Sequence, residues 1–262
     1  MSDTVNIALV PVEGDLDVTS VPALRRRVDR LVARGCRRVI MNMADVSYVD
    51  SAGLGLILTE ARRLRGVGGL LSLVNVSPQA YHALRRMRVL DHMPVLRAGA
   101  RRAPSPLDPS VLPAWRMTFR VEATGLAEAR GRLGELLARL ALTPDEVFDM
   151  TLATGEALGN AVDHTCGDGV LVTVAAYPDR VCVEVTDCGE GYEVAEDEEL
   201  PETGPLAERG RGVRLMRLLA DSVSIGRKSS GEGTVVRLVK LFDAPSGPAR
   251  EADPLTSRPL AL

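Results

Sequence analysis

Short apolar runs and longer amphipathic stretches alternate along the first hundred residues. VNIALVPVEG (5–14), DLDV (15–18), RRVIMNM (37–43), LLSLVNV (70–76) and MPVLR (93–97) are brief and rich in Val, Ile and Leu, so they predict strands. Three stretches between them carry apolar residues at helical spacing. The first runs from about Ser20 to Arg34 with Pro22 in its first turn, and the second is SAGLGLILTEARRLRGVGG (51–69), closed by glycines. The third, SPQAYHALRRMRV (77–89), is opened by Ser77 and Pro78. Strands in alternation with helices predict an α/β domain, a sheet flanked by helices.

The pattern then changes. GARRAPSPLDPSVLPAW (99–115) has four prolines and neither period, which marks a linker over 99–113. Beyond it, WRMTFRVEA (115–123) reads as a strand and is followed by helices over about 124–141 and 143–164, the second opened by TPDE. VLVTVAAY (170–177) and RVCVEVTD (180–187) form a predicted hairpin around Pro178-Asp179. An acidic loop, a helix from about Gly212 and a further strand pair, SVSIGRK (222–228) and GTVVRLVKLF (233–242), complete an α+β sandwich. The Pro-rich tail over 243–262 is expected to be disordered. The chain is therefore read as one domain over 1–98 and a second over 114–242.

Composition narrows the class. The 262 residues are 45% hydrophobic and 26% charged, enough apolar content for two buried cores. No apolar run reaches the roughly 20 residues of a membrane span, and the N-terminus lacks a basic start followed by an apolar run, so a cytoplasmic protein without a membrane segment is expected. Cys36, Cys166, Cys182 and Cys188 form no CxxC pair, which suits a reducing compartment and suggests no zinc site. The net charge of −3 conceals an asymmetry: residues 1–98 carry +5 and residues 99–262 carry −8. The halves could attract one another, or each could draw a different partner. Aromatics are scarce in the basic half, so direct nucleic-acid binding is not expected.

Four short motifs in the second domain carry chemistry. In GEALGNAVDH (155–164), Glu156 and Asn160 are four residues apart on one helical face, and His164 continues the stripe. In DCGEGY (187–192), Asp187 ends a Val-rich strand and can accept a hydrogen bond from an amino group such as that of adenine, while Gly189 and Gly191 let the backbone turn close to a ligand. GRGVRLMRLLAD (210–221) places Gly210 and Gly212 at a predicted helix start, where free N–H groups favour phosphate. GEGTVVRL (231–238) adds Thr234, whose hydroxyl could brace Asp187.

In this order and spacing the four motifs resemble the N, G1 and G2 boxes and the closing Gly-Thr of the GHKL ATP-binding (Bergerat) fold, over about residues 115–240. That family includes Hsp90, gyrase, MutL, histidine kinases and the anti-sigma-factor serine kinases. The resemblance implies ATP and Mg²⁺ as cofactors. Asn160 would hold the Mg²⁺ that bridges the phosphates, and Asp187 would read the adenine amino group. Gly189, Gly191, Gly210 and Gly212 would line the pocket and its lid, Thr234 would support Asp187, and Glu156 would be the general base. The acidic segment 193–209 would be the lid. The compact form, with a strand and two helices before the N box and no following transducer domain, is similar to the anti-sigma serine kinases.

Those kinases act on small antagonist proteins, and the first domain resembles one. GDLDVTSVPAL (14–24) and VSYVDSAGLGLIL (46–58) match the STAS domain of anti-sigma-factor antagonists, over about residues 5–98. In that family the serine of Asp-Ser-x-Gly-Leu-Gly is phosphorylated, and Ser51 matches it. Ser51 also stands at a helix start, where an unmodified hydroxyl can serve as an N-cap. The resemblances together imply a partner-switching regulator of transcription, a protein serine kinase fused to an antagonist-like domain. It would phosphorylate Ser51 or a separate antagonist, with its own STAS domain, antagonist proteins and a sigma factor as partners. A homodimer is compatible with this reading. The alternative is an ATP-binding scaffold that sequesters a partner without phosphotransfer.

Overall fold

The computed structural model describes residues 7–98, 103–108, 110–164, 169–195, 207–228 and 231–242. The tail 243–262, most of the acidic lid segment and part of the linker lie outside them; the described linker residues form neither helix nor strand.

The first domain is a four-stranded parallel sheet, β1 (Ile7–Pro11), β2 (Arg38–Asn42), β3 (Leu70–Val76) and β4 (Val95–Arg97), in the order β1-β2-β3-β4. Helices α1 (Val21–Ala33), α2 (Ser51–Gly66) and α3 (Pro78–Arg86) provide the crossovers. Successive side chains on a strand face opposite ways, and this divides the sheet. Ala8, Val10, Val39, Met41, Leu71 and Leu73 pack with Leu24 and Val28 of α1, Leu56, Ile57 and Leu64 of α2 and Leu84 of α3. Their neighbours Ile7, Ile40 and Val74 belong to a different core, shared with the second domain. Two expectations are corrected. DLDV (15–18) is not a strand but a loop with an isolated bridge from Leu16 to Val49, because its aspartates bond to neighbouring backbone N–H groups instead of a ladder. The helix opened by Ser77 ends at Arg86, followed by left-handed Arg88 and a 3₁₀ turn at Val89–Asp91.

The second domain is an antiparallel sheet of β5 (Trp115–Val121), β6 (Val170–Ala176), β7 (Arg180–Thr186), β8 (Ser222–Arg227) and β9 (Thr234–Leu241), in the order β5-β6-β7-β9-β8. Helices α4 (Leu126–Leu137), α5 (Pro144–His164) and α6 (Ala207–Leu219) cover it, with α5 packed over β6, β7 and β9 and between α4 and α6. Met150, Ala153, Ala157, Leu158 and Ala161 of α5 recur at helical spacing and are buried against Val172, Val183, Val185 and Leu238. A Thr143–Glu146 capping box opens α5: the Glu146 carboxylate accepts from the Thr143 N–H at 2.8 Å, and the Thr143 hydroxyl accepts from the Glu146 N–H at 3.2 Å.

The join between the domains is polar as well as apolar. Arg38, only 2% exposed, donates through Nε and Nη2 to the two carboxylate oxygens of Asp149 on α5 at 2.6 and 2.9 Å, and through Nη1 to Ser72 Oγ at 2.9 Å. Burial pushes the Asp149 carboxyl above the usual carboxylate range, and the Arg38 guanidinium pulls it back. A second pair joins Arg65, near the end of α2, to Asp145 at 3.0 Å. Removing one partner of a buried pair leaves the other charge uncompensated, which typically costs about 3–5 kcal/mol. The opposite net charges of the two halves thus meet across this surface.

Candidate functional site

Ser51 is the first residue of α2 and is exposed. It does not cap the helix, a correction to the sequence reading. Asp50 is the N-cap: its Oδ1 accepts from the Gly53 N–H at 2.8 Å, and its Oδ2 reaches the Val18 N–H at 3.1 Å. Asp50 wins because its backbone is extended at the helix entry, which aims the carboxylate at the first turn, whereas Ser51 is already helical. Two further aspartates, not singled out by sequence reasoning, organise the loops around the serine. Asp15 Oδ1 accepts from Ser47 N, Ser47 Oγ and Tyr48 N at 3.1, 2.8 and 2.8 Å. Asp17 Oδ1 accepts from Thr19 N, Thr19 Oγ1 and Ser20 N at 2.8, 2.6 and 3.1 Å. The hydroxyl of Ser47 holds the Asp15 carboxyl below its ordinary value, and that of Thr19 does the same for Asp17. Gly53 lets the first turn of α2 press on the chain at Leu16, since a Cβ there would run into the Leu16 carbonyl oxygen.

In the second domain, α5 and α6 bring Glu156, Asn160 and Gly212 together. The position of a Cβ on Gly212 lies 3.3 Å from Asn160 Nδ2 and 3.6 Å from Glu156 Oε2, so a side chain there would press on Asn160 and touch Glu156. Gly210 and Gly212 are buried within α6, which begins at Ala207. The expected helix start at these glycines is thereby corrected: only the first four N–H groups of a helix are free, so Gly212 serves close packing and does not offer an open N–H.

Asp187 stands just past the end of β7 and is buried. Its Oδ1 accepts from the Gly189 N–H at 2.9 Å and the Thr234 N–H at 2.9 Å. Thr234 therefore braces the aspartate through its backbone; the expectation that its hydroxyl does so is corrected. In a strand the side chain projects to a face of the sheet, across the direction in which the backbone N–H donates. Bare backbone builds the surrounding turns. A Cβ on Gly189 would collide with the His164 carbonyl oxygen, and one on Gly191, at φ +72°, would lie 2.7 Å from Gly233 O. Gly233, the glycine of the closing Gly-Thr, has φ +92° and presses on the Asp187 carbonyl.

The residues present fit a bound adenine nucleotide. Oδ1 of Asp187 is occupied, while Oδ2 makes no hydrogen bond among the described residues. A carboxylate oxygen accepts hydrogen bonds, so the chemistry of Asp187 suits an amino group brought to Oδ2. Asn160 offers an amide oxygen one helical turn from the Glu156 carboxylate. Among the described residues no cluster of three or more His, Cys, Asp or Glu could hold a metal by itself. No helix among them is long and apolar enough to cross a membrane.

Comparison with known proteins agrees with both halves. Residues 2–100 match the STAS domain family, and residues 119–240 match the histidine kinase-like ATPase domain family. The chain is 32% identical over 141 residues to an anti-sigma F factor of Pasteuria penetrans, covering 49% of this chain and 93% of that protein. It is 31% identical over 140 residues to the serine-protein kinase RsbW of Bacillus velezensis, covering 48% and 84%. An anti-sigma-B factor antagonist of Bacillus subtilis is 38% identical over 68 residues, covering 26% of this chain and 62% of that one. The chain belongs to the family of anti-sigma factors and serine-protein kinases built on the histidine kinase-like ATPase domain, here joined to a STAS domain.

Proposed function

We propose that this chain is a cytoplasmic partner-switching regulator, an ATP-dependent protein serine kinase of the anti-sigma type fused to an antagonist-like domain. It phosphorylates Ser51, the matching serine of a separate antagonist, or both, and binds a sigma factor or antagonist as partner. The observation that carries this reading is the presence in one chain of an exposed Ser51 and of Glu156 and Asn160 gathered beside Gly212, with Asp187 held in the turn that packs on the end of α5. When bound, ATP with Mg²⁺ supplies the phosphoryl group. Asp187 Oδ2 would accept from the adenine amino group, and the Asn160 amide oxygen would help to hold the Mg²⁺. Glu156 accepts the proton that the serine hydroxyl gives up, and positioning together with charge neutralisation does the rest.

Phosphorylation adds about −1.5 to −2 charges at the first residue of α2, which the helix dipole tolerates. The same charge beside Asp15, Asp17 and Asp50 alters any surface docked there, and like-charge juxtaposition can weaken an interface by several kcal/mol. One phosphate can therefore release a partner without unfolding the domain that carries it. The test is mass spectrometry after incubation with ATP and Mg²⁺, comparing wild type, Ser51→Ala and Asn160→Ala, with a panel of antagonist proteins as further acceptors. Phosphoserine at position 51 or on an antagonist, absent with Asn160→Ala, is the expected result. Nucleotide binding without phosphoserine on any acceptor identifies a scaffold instead.

A further inference from the structure

The first domain meets the second through the sheet face opposite α1–α3 and through the end of α2 remote from Ser51. Ile7, Ile40 and Val74, on the side of the sheet away from α1–α3, join the core of the second domain, and Arg38 on the same side pairs with Asp149. The other contact, Arg65 with Asp145, is made by the far end of α2. Ser51 lies fourteen residues before Arg65, about 21 Å along the helix. Asp145 and Asp149 lie in the first two turns of α5, and Asn160 lies about 16 Å beyond Asp149 on that axis. Each reactive group is thus at the end of its helix remote from the joint. Exposure leads to the same conclusion: Ser51 is open, and its neighbours Val18 and Tyr48 are 67% and 60% exposed. No described part of the pocket covers the acceptor.

We infer that Ser51 receives its phosphate from the pocket of a second copy of this chain, because docking through the opposite sheet face holds it away from its own. This rests on the kinase reading above. Phosphoryl transfer needs the hydroxyl oxygen within about 3–3.5 Å of phosphorus, in line with the leaving oxygen. The bond from phosphorus to the ADP oxygen breaks as the bond from phosphorus to Ser51 Oγ forms. ADP leaves with the electron pair, and the serine proton passes to Glu156 of the donor copy. The acceptor surface suits such an encounter. Val18 and Tyr48 give it apolar contact area, and Asp15, Asp17 and Asp50 make it acidic. Arg227 and Lys228, beside the Gly191 and Gly233 turns, give the pocket basic side chains.

The experiment mixes equal amounts of full-length Ser51→Ala, which can only donate, and full-length Asn160→Ala, which can only accept. Mass spectrometry then reads Ser51 phosphate. Transfer between chains gives about half the wild-type initial rate per acceptor serine at equal total concentration, whether the copies collide or exchange as dimers. A mixture labelled at less than a tenth of the wild-type rate, while wild type labels itself, overturns the inference. A separate antagonist protein serves as the control for donor competence: if the donor labels it but not the acceptor chain, the inference alone fails. If nothing is labelled in any arm, the kinase reading falls with it. Repeating the mixture with Glu156→Gln as acceptor guards against misfolding of Asn160→Ala. In the acceptor chain, Tyr48→Ala should slow labelling several-fold, and the same substitution in the otherwise wild-type chain should leave nucleotide binding unchanged.

Discussion

The loops around Ser51 and the turns around Asp187 are held by different means. Around the serine, side chains do the holding: Asp15, Asp17 and Asp50 accept hydrogen bonds from Ser47, Tyr48, Thr19, Ser20, Gly53 and Val18. Around the aspartate, backbone lies directly on backbone, with Gly189, Gly191 and Gly233 each lacking the Cβ that would prevent it. Carboxylates on a surface can adjust when a phosphate arrives, and acid can switch them off. A nest of bare backbone has one shape, which suits a pocket that must present the same oxygen to every nucleotide.

The largest effect should come from filling that nest. Gly233→Ala places a side chain at φ +92° against the Asp187 carbonyl, so nucleotide binding should be lost and stability should fall by roughly 1–3 kcal/mol, read by nucleotide titration and chemical denaturation. Gly53→Ala tests whether the contrast is complete. It meets the Leu16 carbonyl and should be comparably destabilising, yet leave nucleotide affinity of the second domain intact. Asp50→Ala removes the α2 cap and should cost about 1 kcal/mol, with a larger local rise in amide exchange at Gly53 and Val18. Gly55→Ala, two positions from Gly53 but in open space within the helix, should stabilise by about 0.5–1 kcal/mol.

The smallest global effect should come from acid. Hydrogen bonds from Ser47 and Thr19 hold the Asp15 and Asp17 carboxyls below their ordinary value, so the stability they contribute is present above the ordinary carboxylate range and is lost as pH falls through their lowered values. Amide exchange at Ser47, Tyr48 and Thr19 should accelerate over that acid range, ahead of exchange in β2 and β3. Simultaneous loss of the loops and the sheet would break the comparison.

Alternation of apolar runs with amphipathic stretches made the two sheets legible, and the motifs of the second domain led to Asn160 and Asp187 directly. Contacts between distant segments were harder to read. Asp50 and Ser51 are adjacent polar residues at a helix entry, and only the backbone conformation decides which one caps. Gly233 resembles an ordinary turn glycine until Asp187, 46 residues earlier, is folded against it. Arg38 reads as one more cation in an Arg-rich half; its half-buried partner lies 111 residues away. Charge asymmetry suggested attraction between the halves but could not name the pair.

That pair has a consequence for how the molecule comes apart. Arg38 stands in a central strand of one sheet, and Asp149 is on the central helix over the other. Melting one half alone breaks this pair and exposes to water the apolar face, with Ile7, Ile40 and Val74, that the two halves share. Heating should therefore produce one calorimetric peak instead of two, and a ligand bound only at the C-terminal half should raise the melting temperature reported by probes in the N-terminal half.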